Sequence, residues 1–213
     1  MKKLQLKSLI LAVSVMATVP VQAQFGMPSI PSVGGNSNST KSAETAAQVI
    51  IKTQIALANF VAAQKQLDDA INGTNNYEAS KEFLDRMAKG DAAASKDDFE
   101  TVVSMSKEAS ESLSKDVADN KKLEAKNKSA ASKAMVNYVI ALVSTKSLVN
   151  SIQGLAGNPM SAGSSIGTLT YLVSQLPNLI SSGAGSTASL FKYLTANGVD
   201  MKEAKKAADG LGK

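Results

Sequence analysis

The stretch from Ile50 to Ile71 reads IIKTQIALANFVAAQKQLDDAI and contains neither glycine nor proline. Its positions 50, 53, 57, 60, 64, 67 and 71 are Ile, Thr, Leu, Phe, Gln, Leu and Ile, so the spacing alternates between three and four. Side chains at this spacing lie on one face of a helix, which is typical of a helix packed lengthwise on another. The sequence predicts such a helix, beginning at a Ser42 cap and ending near Gly73.

Three further stripes with the same spacing follow, over positions 99–117, 135–156 and 166–180. A short helix over 78–89 and a capping box at Ser95–Asp98 precede the first of them. We predict a break between helices near 119–128, because the stripe thins there to polar residues. The pattern predicts no strand, and it indicates an all-α fold: a slender antiparallel bundle of four or more main helices, in one domain over 42–213.

The second half of the chain is unusually poor in charge. The only charged residues in 134–199 are Lys146 and Lys192, so this segment has no acidic residue. We interpret 134–181 as an antiparallel helical hairpin with a Gly/Ser/Pro loop. Pro177 is expected to kink or restart its second arm, and a further short helix is expected over 187–196.

The apolar residues of this hairpin have two interpretations. They form the buried centre of the bundle, which we favour, or they meet lipid or a lipid-like ligand in a partly open bundle. The residues that would face such a ligand are Tyr138, Leu142, Val149, Leu169, Val173, Leu176 and Ile180.

The N-terminus has the layout of a secretory signal peptide over residues 1–23. Three lysines precede the apolar run LILAVSVMATV, and Val21-Gln22-Ala23 places small residues at the cleavage positions. Eleven residues span only ~16 Å as a helix, against ~30 Å of hydrocarbon core, which argues against a membrane anchor. We predict cleavage between Ala23 and Gln24, and no second segment long enough to cross a membrane.

Residues 24–41 read QFGMPSIPSVGGNSNSTK, a composition that predicts a flexible leader. A docking arm that uses Phe25, Met27 and Ile30 is the alternative. Removal of the signal peptide leaves 20 basic and 18 acidic residues, so the net charge falls from +5 to +2. A chain so close to neutral has little electrostatic attraction for nucleic acid.

Composition also excludes much catalytic chemistry. The chain has no Cys, His or Trp, which excludes disulfides, thiolate zinc sites and histidine-dependent triads. Ser-x-x-Lys occurs three times, at Ser104/Lys107, Ser112/Lys115 and Ser189/Lys192, as chance predicts in a Ser- and Lys-rich helical chain. We predict no catalytic residue, no metal site and no cofactor.

The sequence therefore favours a non-enzymatic bacterial protein, exported to the periplasm or secreted. It would act by binding an unidentified protein partner in the cell envelope or outside the cell. The alternative is a lipid-binding or membrane-active protein that uses the 134–181 hairpin.

Overall fold

The Ile50–Ile71 stretch lies within helix α1, Ala46–Asn72, in a computed structural model that describes residues 44–209. All seven positions of its predicted stripe are buried, which confirms the helix and its face. The helix begins three residues later than predicted: Thr45 is the N-cap, and it forms a capping box with Gln48. Gly73 ends the helix with a φ of 66°, a left-handed conformation that favours glycine. The signal peptide, the leader and Ser42 lie outside the described residues.

Six more α-helices follow in the described part of the chain: α2 (Glu78–Lys89), α3 (Lys96–Ala118), α4 (Lys128–Ala156), α5 (Pro159–Ala162), α6 (Ile166–Ala196) and α7 (Lys202–Ala208). Short 3₁₀ turns precede α4 and α6. Residues 44–209 contain no strand, so the all-α prediction is confirmed. The bounds of α2, the Ser95–Asp98 capping box and the break before α4 also agree with the sequence pattern.

Hydrogen bonds between helices establish their directions. The Gln54 side chain of α1 bonds to the end of α2, and Asp69 bonds to its start, so α2 runs opposite to α1. Along α3, Ser106 bonds to Gln64 and Ser112 to Asp68, so α1 and α3 run the same way. Helix α4 runs opposite to α1 and α6, because Tyr138 contacts Phe60 and Gly183 while residues near its start contact Gly73 and Gly198.

The four longest helices form the core of the bundle. Helix α1 packs on α3 and α4, and α6 packs on the same two helices. Helices α3 and α4 therefore lie diagonally across from each other. The short α2 covers α1, and α7 covers α4.

The contact between α1 and α3 contains a row of polar side chains. Gln64 accepts a hydrogen bond from Ser106 and donates one to Ser110, at 2.7 and 2.8 Å. One turn further on, Asp68 accepts from the Ser112 hydroxyl at 2.5 Å. The two α1 residues lie four positions apart, and their partners follow in the same order along α3, so these pairs fix the register of α3 on α1. Burial raises the pKa of the Asp68 carboxyl, and the hydrogen bond from Ser112 partly offsets that rise.

The centre of the bundle is the point where α6 comes closest to α1 and α4. A Cβ atom at Gly183 would lie 3.0 Å from the ends of both Phe60 and Leu142. The Tyr138 hydroxyl donates a 2.9 Å hydrogen bond to the Gly183 carbonyl, and its ring lies 5.0 Å from that of Phe60. Because Tyr138 is fully buried, desolvation raises the pKa of its phenol.

The structure corrects the prediction for α6 in two respects, the extent of the helix and its buried face. The helix is continuous from Ile166 to Ala196, so Pro177 does not restart it and no separate helix covers 187–196. Pro177 is exposed, while the leucines on either side of it point into the core, so packing supports the helix across the missing backbone donor. The predicted register is also wrong, because the buried stripe consists of 169, 172, 176, 179, 183, 187, 190 and 194.

The close approach at Gly183 predicts opposite effects for two glycines of the same helix. We expect Gly183→Ala to lower the free energy of unfolding by about 1–3 kcal/mol, because Phe60 and Leu142 must move. Gly185→Ala is the control: its Cβ would meet no atom within 4 Å, and alanine favours a helix over glycine by about 1 kcal/mol. Urea unfolding measures both. Stabilisation by both substitutions would contradict tight packing at Gly183.

The Asp68 and Asp98 carboxyls predict opposite pH dependences of stability. The folded-state pKa of Asp68 is raised, so ionisation of this carboxyl opposes folding as the pH rises through that pKa. The free energy of unfolding of Asp68→Asn should therefore increase relative to that of the wild type over the same rise in pH. The pKa of Asp98 is lowered by Arg86 and Ser95, so Asp98→Asn should lose stability relative to wild type over the same rise. Unfolding free energies between about pH 3 and about pH 7 test this. Parallel curves for the wild type and both variants would contradict it.

Candidate interaction surface

A run of 45 residues without a charged side chain extends from Ser147 to Phe191. It covers the last third of α4, all of α5 and most of α6. Because α4 and α6 pack against each other in opposite directions, this run forms one corner of the bundle.

The seven candidate ligand-facing residues do not share one surface. Four of them are buried in the core: Tyr138, Leu142, Leu169 and Leu176. The other three are half-buried at its margin: Val149, Val173 and Ile180. The four buried side chains are therefore not available to a ligand unless the bundle opens.

Many of the exposed side chains of this corner are small. We call the following set of exposed small residues the charge-free face. It consists of Ser147, Ser151 and Gly154 of α4 and of Ser174, Ser181, Ser182, Gly185, Ala188 and Ser189 of α6. Sequence analysis missed this face, because the three-four pattern was sought only among large apolar residues. Positions 147, 151 and 154 of α4 have that spacing, and so do 174, 178, 181, 185 and 188 of α6. All of these residues are small except Asn178.

Several hydroxyls of this corner are hydrogen-bonded within their own helix. Ser147 donates to the Ser144 carbonyl at 2.7 Å, and Ser174 donates to the Tyr171 carbonyl at 2.7 Å. Ser144, which is half-buried beside them, donates to the Ile140 carbonyl at 2.9 Å. A partner could cover these hydroxyls without leaving an unsatisfied donor, which would otherwise cost about 1–3 kcal/mol each.

The end of the hairpin is apolar. Met160, on the short α5, is 96% exposed. Leu148 and Leu155 of α4 and Ile166 of α6 are half-buried and pack against the core. We call these four residues the apolar tip.

Two segments of the described chain are long and apolar enough to cross a membrane by length and composition alone: Ala46–Asn72 and Ala125–Ala156. This differs from the sequence expectation of no second candidate. Core helices pass the same test, and α1 fits that description because 61% of its apolar window is buried inside the protein. Only 28% of the window in the second segment is buried, so much of α4 faces outward.

The structure places the candidate metal-binding and Ser-x-x-Lys side chains within residues 44–209. No group of three or more acidic side chains there could hold a metal ion. Of the Ser-x-x-Lys serines, Ser104 donates to Glu108 and Ser112 donates to Asp68. Ser189 and Lys192 both lie exposed on α6.

The chain matches no protein-family model, no curated protein and no solved structure.

Proposed function

We propose that the protein is an exported bacterial protein without enzymatic activity, which binds a protein partner in the cell envelope or outside the cell. In this proposal the charge-free face is the binding surface, and the partner presents a helix or another smooth surface of small residues. The N-terminal sequence supports the export of the chain.

The observation that carries this proposal is the combination of small side chains on the charge-free face with two hydroxyls there, those of Ser147 and Ser174, that are already bonded within their own helix. Short side chains let a second backbone approach closely, which increases dispersion contacts over the whole length of the contact. Ser147 and Ser174 already have hydrogen-bond partners, so covering them has a low desolvation cost. The absence of charge removes the largest cost of burying an exposed helix surface.

Binding to lipid is the second candidate, and the exposed Met160 of the apolar tip favours it. A lipid-binding face normally presents large apolar side chains to the membrane. Here the large apolar side chains Leu142, Leu169 and Leu176 are in the core, and the residues of the charge-free face have hydroxyls or no side chain beyond Cβ. A protein partner therefore fits this surface better than lipid.

Export predicts a defined N-terminus for the protein that accumulates in the cell. We expect it to begin at Gln24 and to be recovered in the periplasm or the medium, as measured by mass spectrometry after fractionation. Ala23→Leu should block cleavage, because the peptidase requires a small residue at this position. An uncleaved chain in the cytoplasm would contradict export.

Binding through the charge-free face predicts position-dependent crosslinking in the native bacterium. A photoreactive amino acid at Ser151 or Ser182 should give a crosslinked species of one defined mass, whereas the same group at Ser104, exposed on α3, should not give that species. Ser181→Glu should reduce the yield from Ser182 by about tenfold, because it buries a charge against the partner. Ser104→Glu is the matched control and should leave the yield unchanged. Equal yields at all three positions would contradict the proposal.

Vesicle flotation separates the lipid alternative from this proposal. The protein should stay in the dense fraction with vesicles that contain both zwitterionic and anionic lipid. If it floats, and Met160→Asp abolishes flotation while leaving the circular dichroism unchanged, the apolar tip binds lipid and the alternative is correct.

A further inference from the structure

Charged residues are unevenly distributed between the two halves of the chain. Residues 78–119, which contain α2 and α3, include 11 acidic and 6 basic residues. Residues 120–209, which contain α4 to α7, include 10 basic and 4 acidic residues. The first segment therefore has a net charge of −5 and the second a net charge of +6, although the whole chain after removal of the predicted signal peptide is close to neutral.

Most of this charge is not neutralised within the described structure. We define the acidic edge as the exposed acids of α2, α3 and their flanking turns that form no ion pair with another described residue: Glu78, Glu82, Asp91, Asp97, Glu108, Glu111 and Asp119. Lys89, Lys107 and Lys115 are interspersed among them and are unpaired by the same criterion, so the edge keeps an excess of four negative charges.

The basic edge lies on α4 and α7, which pack together. It consists of Lys128, Lys133, Lys202, Lys205 and Lys206, none of which forms an ion pair with another residue in 44–209. Three acids are nearby: Asp200, whose carboxylate accepts from the Lys202 backbone amide, and the exposed Glu203 and Asp209. The basic edge keeps an excess of two positive charges.

The basic edge also contains a depression open to solvent. Its volume is about 350 Å³, and it is lined by Lys128, Ser129, Ser132, Lys133 and Asp200. The Ser132 hydroxyl donates to the Asp200 carbonyl at 2.6 Å, which holds the segment before α7 against α4. Two lysine ammonium groups beside an open depression suit the carboxylate of an incoming glutamate or aspartate.

The two edges lie on opposite sides of the bundle. Helices α3 and α4 are diagonal neighbours, each packed on α1 and α6. Helix α2 extends the α3 side, where Arg86 bonds to Asp98, and α7 extends the α4 side. A two-fold dimer through either edge would bring like charges together, whereas the acidic edge of one copy and the basic edge of the next attract each other.

We propose that the protein associates with further copies of itself head to tail, the acidic edge of one copy against the basic edge of the next. Such a contact is heterologous, so it forms chains or closed rings rather than a two-fold dimer. The charge-free face takes no part in it and stays available for the partner of the proposed function. The contact is sensitive to salt, because exposed charges are screened over about 8 Å at physiological ionic strength.

Sedimentation velocity tests whether the copies associate. The purified protein, in the form that its cell accumulates, should show a weight-average mass that rises with concentration at about 20 mM salt and falls to that of a monomer at about 500 mM. The triple variant Lys202→Glu/Lys205→Glu/Lys206→Glu should stay monomeric at both. Circular dichroism must show that this variant is folded. A monomer under all conditions would overturn the proposal, and so would association that salt does not weaken.

The absence of cysteine from the chain allows a test of orientation. Glu108→Cys and Lys205→Cys variants, one of them tagged to change its mass, are mixed and oxidised at low salt. Disulfides between unlike variants should exceed those between like variants by about tenfold, and the excess should disappear at high salt. Ser151→Cys mixed with Lys205→Cys is the control and should show no excess.

Equal formation of like and unlike disulfides would overturn the head-to-tail arrangement. An excess with Ser151→Cys would overturn it as well, because the contact would then use the charge-free face. Neither result depends on crosslinking at Ser182 in the native bacterium. Failure of the head-to-tail contact is therefore distinguishable from failure of the proposed function.

Discussion

The structure depends on the close approach of α6 to α1 and α4 at Gly183. A Cβ at position 183 would lie only 3.0 Å from the ends of Phe60 and Leu142, so glycine favours this close approach of the α6 backbone, and the same approach places the Gly183 carbonyl 2.9 Å from the Tyr138 hydroxyl. The tyrosine is fully buried, so this hydrogen bond removes the cost of burying its hydroxyl. One contact thereby joins three of the four core helices and sets which side of α6 faces inward. The contact therefore also determines which residues of α6 are exposed to solvent.

Much of this fold could be predicted from the sequence, because α1, α2 and α3 each combine a one-sided apolar stripe with explicit end signals. Gly73 and Gly90 end helices with positive φ, and Ser95 begins one through a capping box. The register of α6 could not be predicted in this way. Ile166, Val173 and Ile180 are as apolar as Leu172 and Leu179, and no charged residue up to Lys192 marks an outer face. Hydropathy cannot choose between two apolar sides, whereas the backbone approach at Gly183 can.

The candidate site was harder to predict than the fold for the same reason. Sequence analysis predicts seven large apolar residues of α4 and α6 as ligand-facing. Of the four in α6, only Leu169 and Leu176 belong to the buried stripe of that helix. Tyr138 and Leu142 of α4 meet this stripe in the core. The exposed serines and glycines of the charge-free face resemble loop residues in composition. Their spacing has meaning only once α4 and α6 are known to be continuous helices that contact each other. The polar row between α1 and α3 could be predicted in part from the sequence, because Gln64 already belongs to the α1 stripe.

The near-neutral net charge of the chain conceals an uneven distribution of acidic and basic residues. After removal of the predicted signal peptide a net charge of +2 suggests weak electrostatics, yet acidic residues predominate in 78–119 and basic residues predominate in 120–209. Because α3 and α4 each pack on α1 and α6, they lie on opposite sides of the bundle, so the charges separate in space as they do along the chain. Each copy is then complementary to the next, and the uncharged corner formed by α4 and α6 lies between the two edges. A repeating array of copies would present that corner many times, so a weakly binding partner would gain avidity without any added contact.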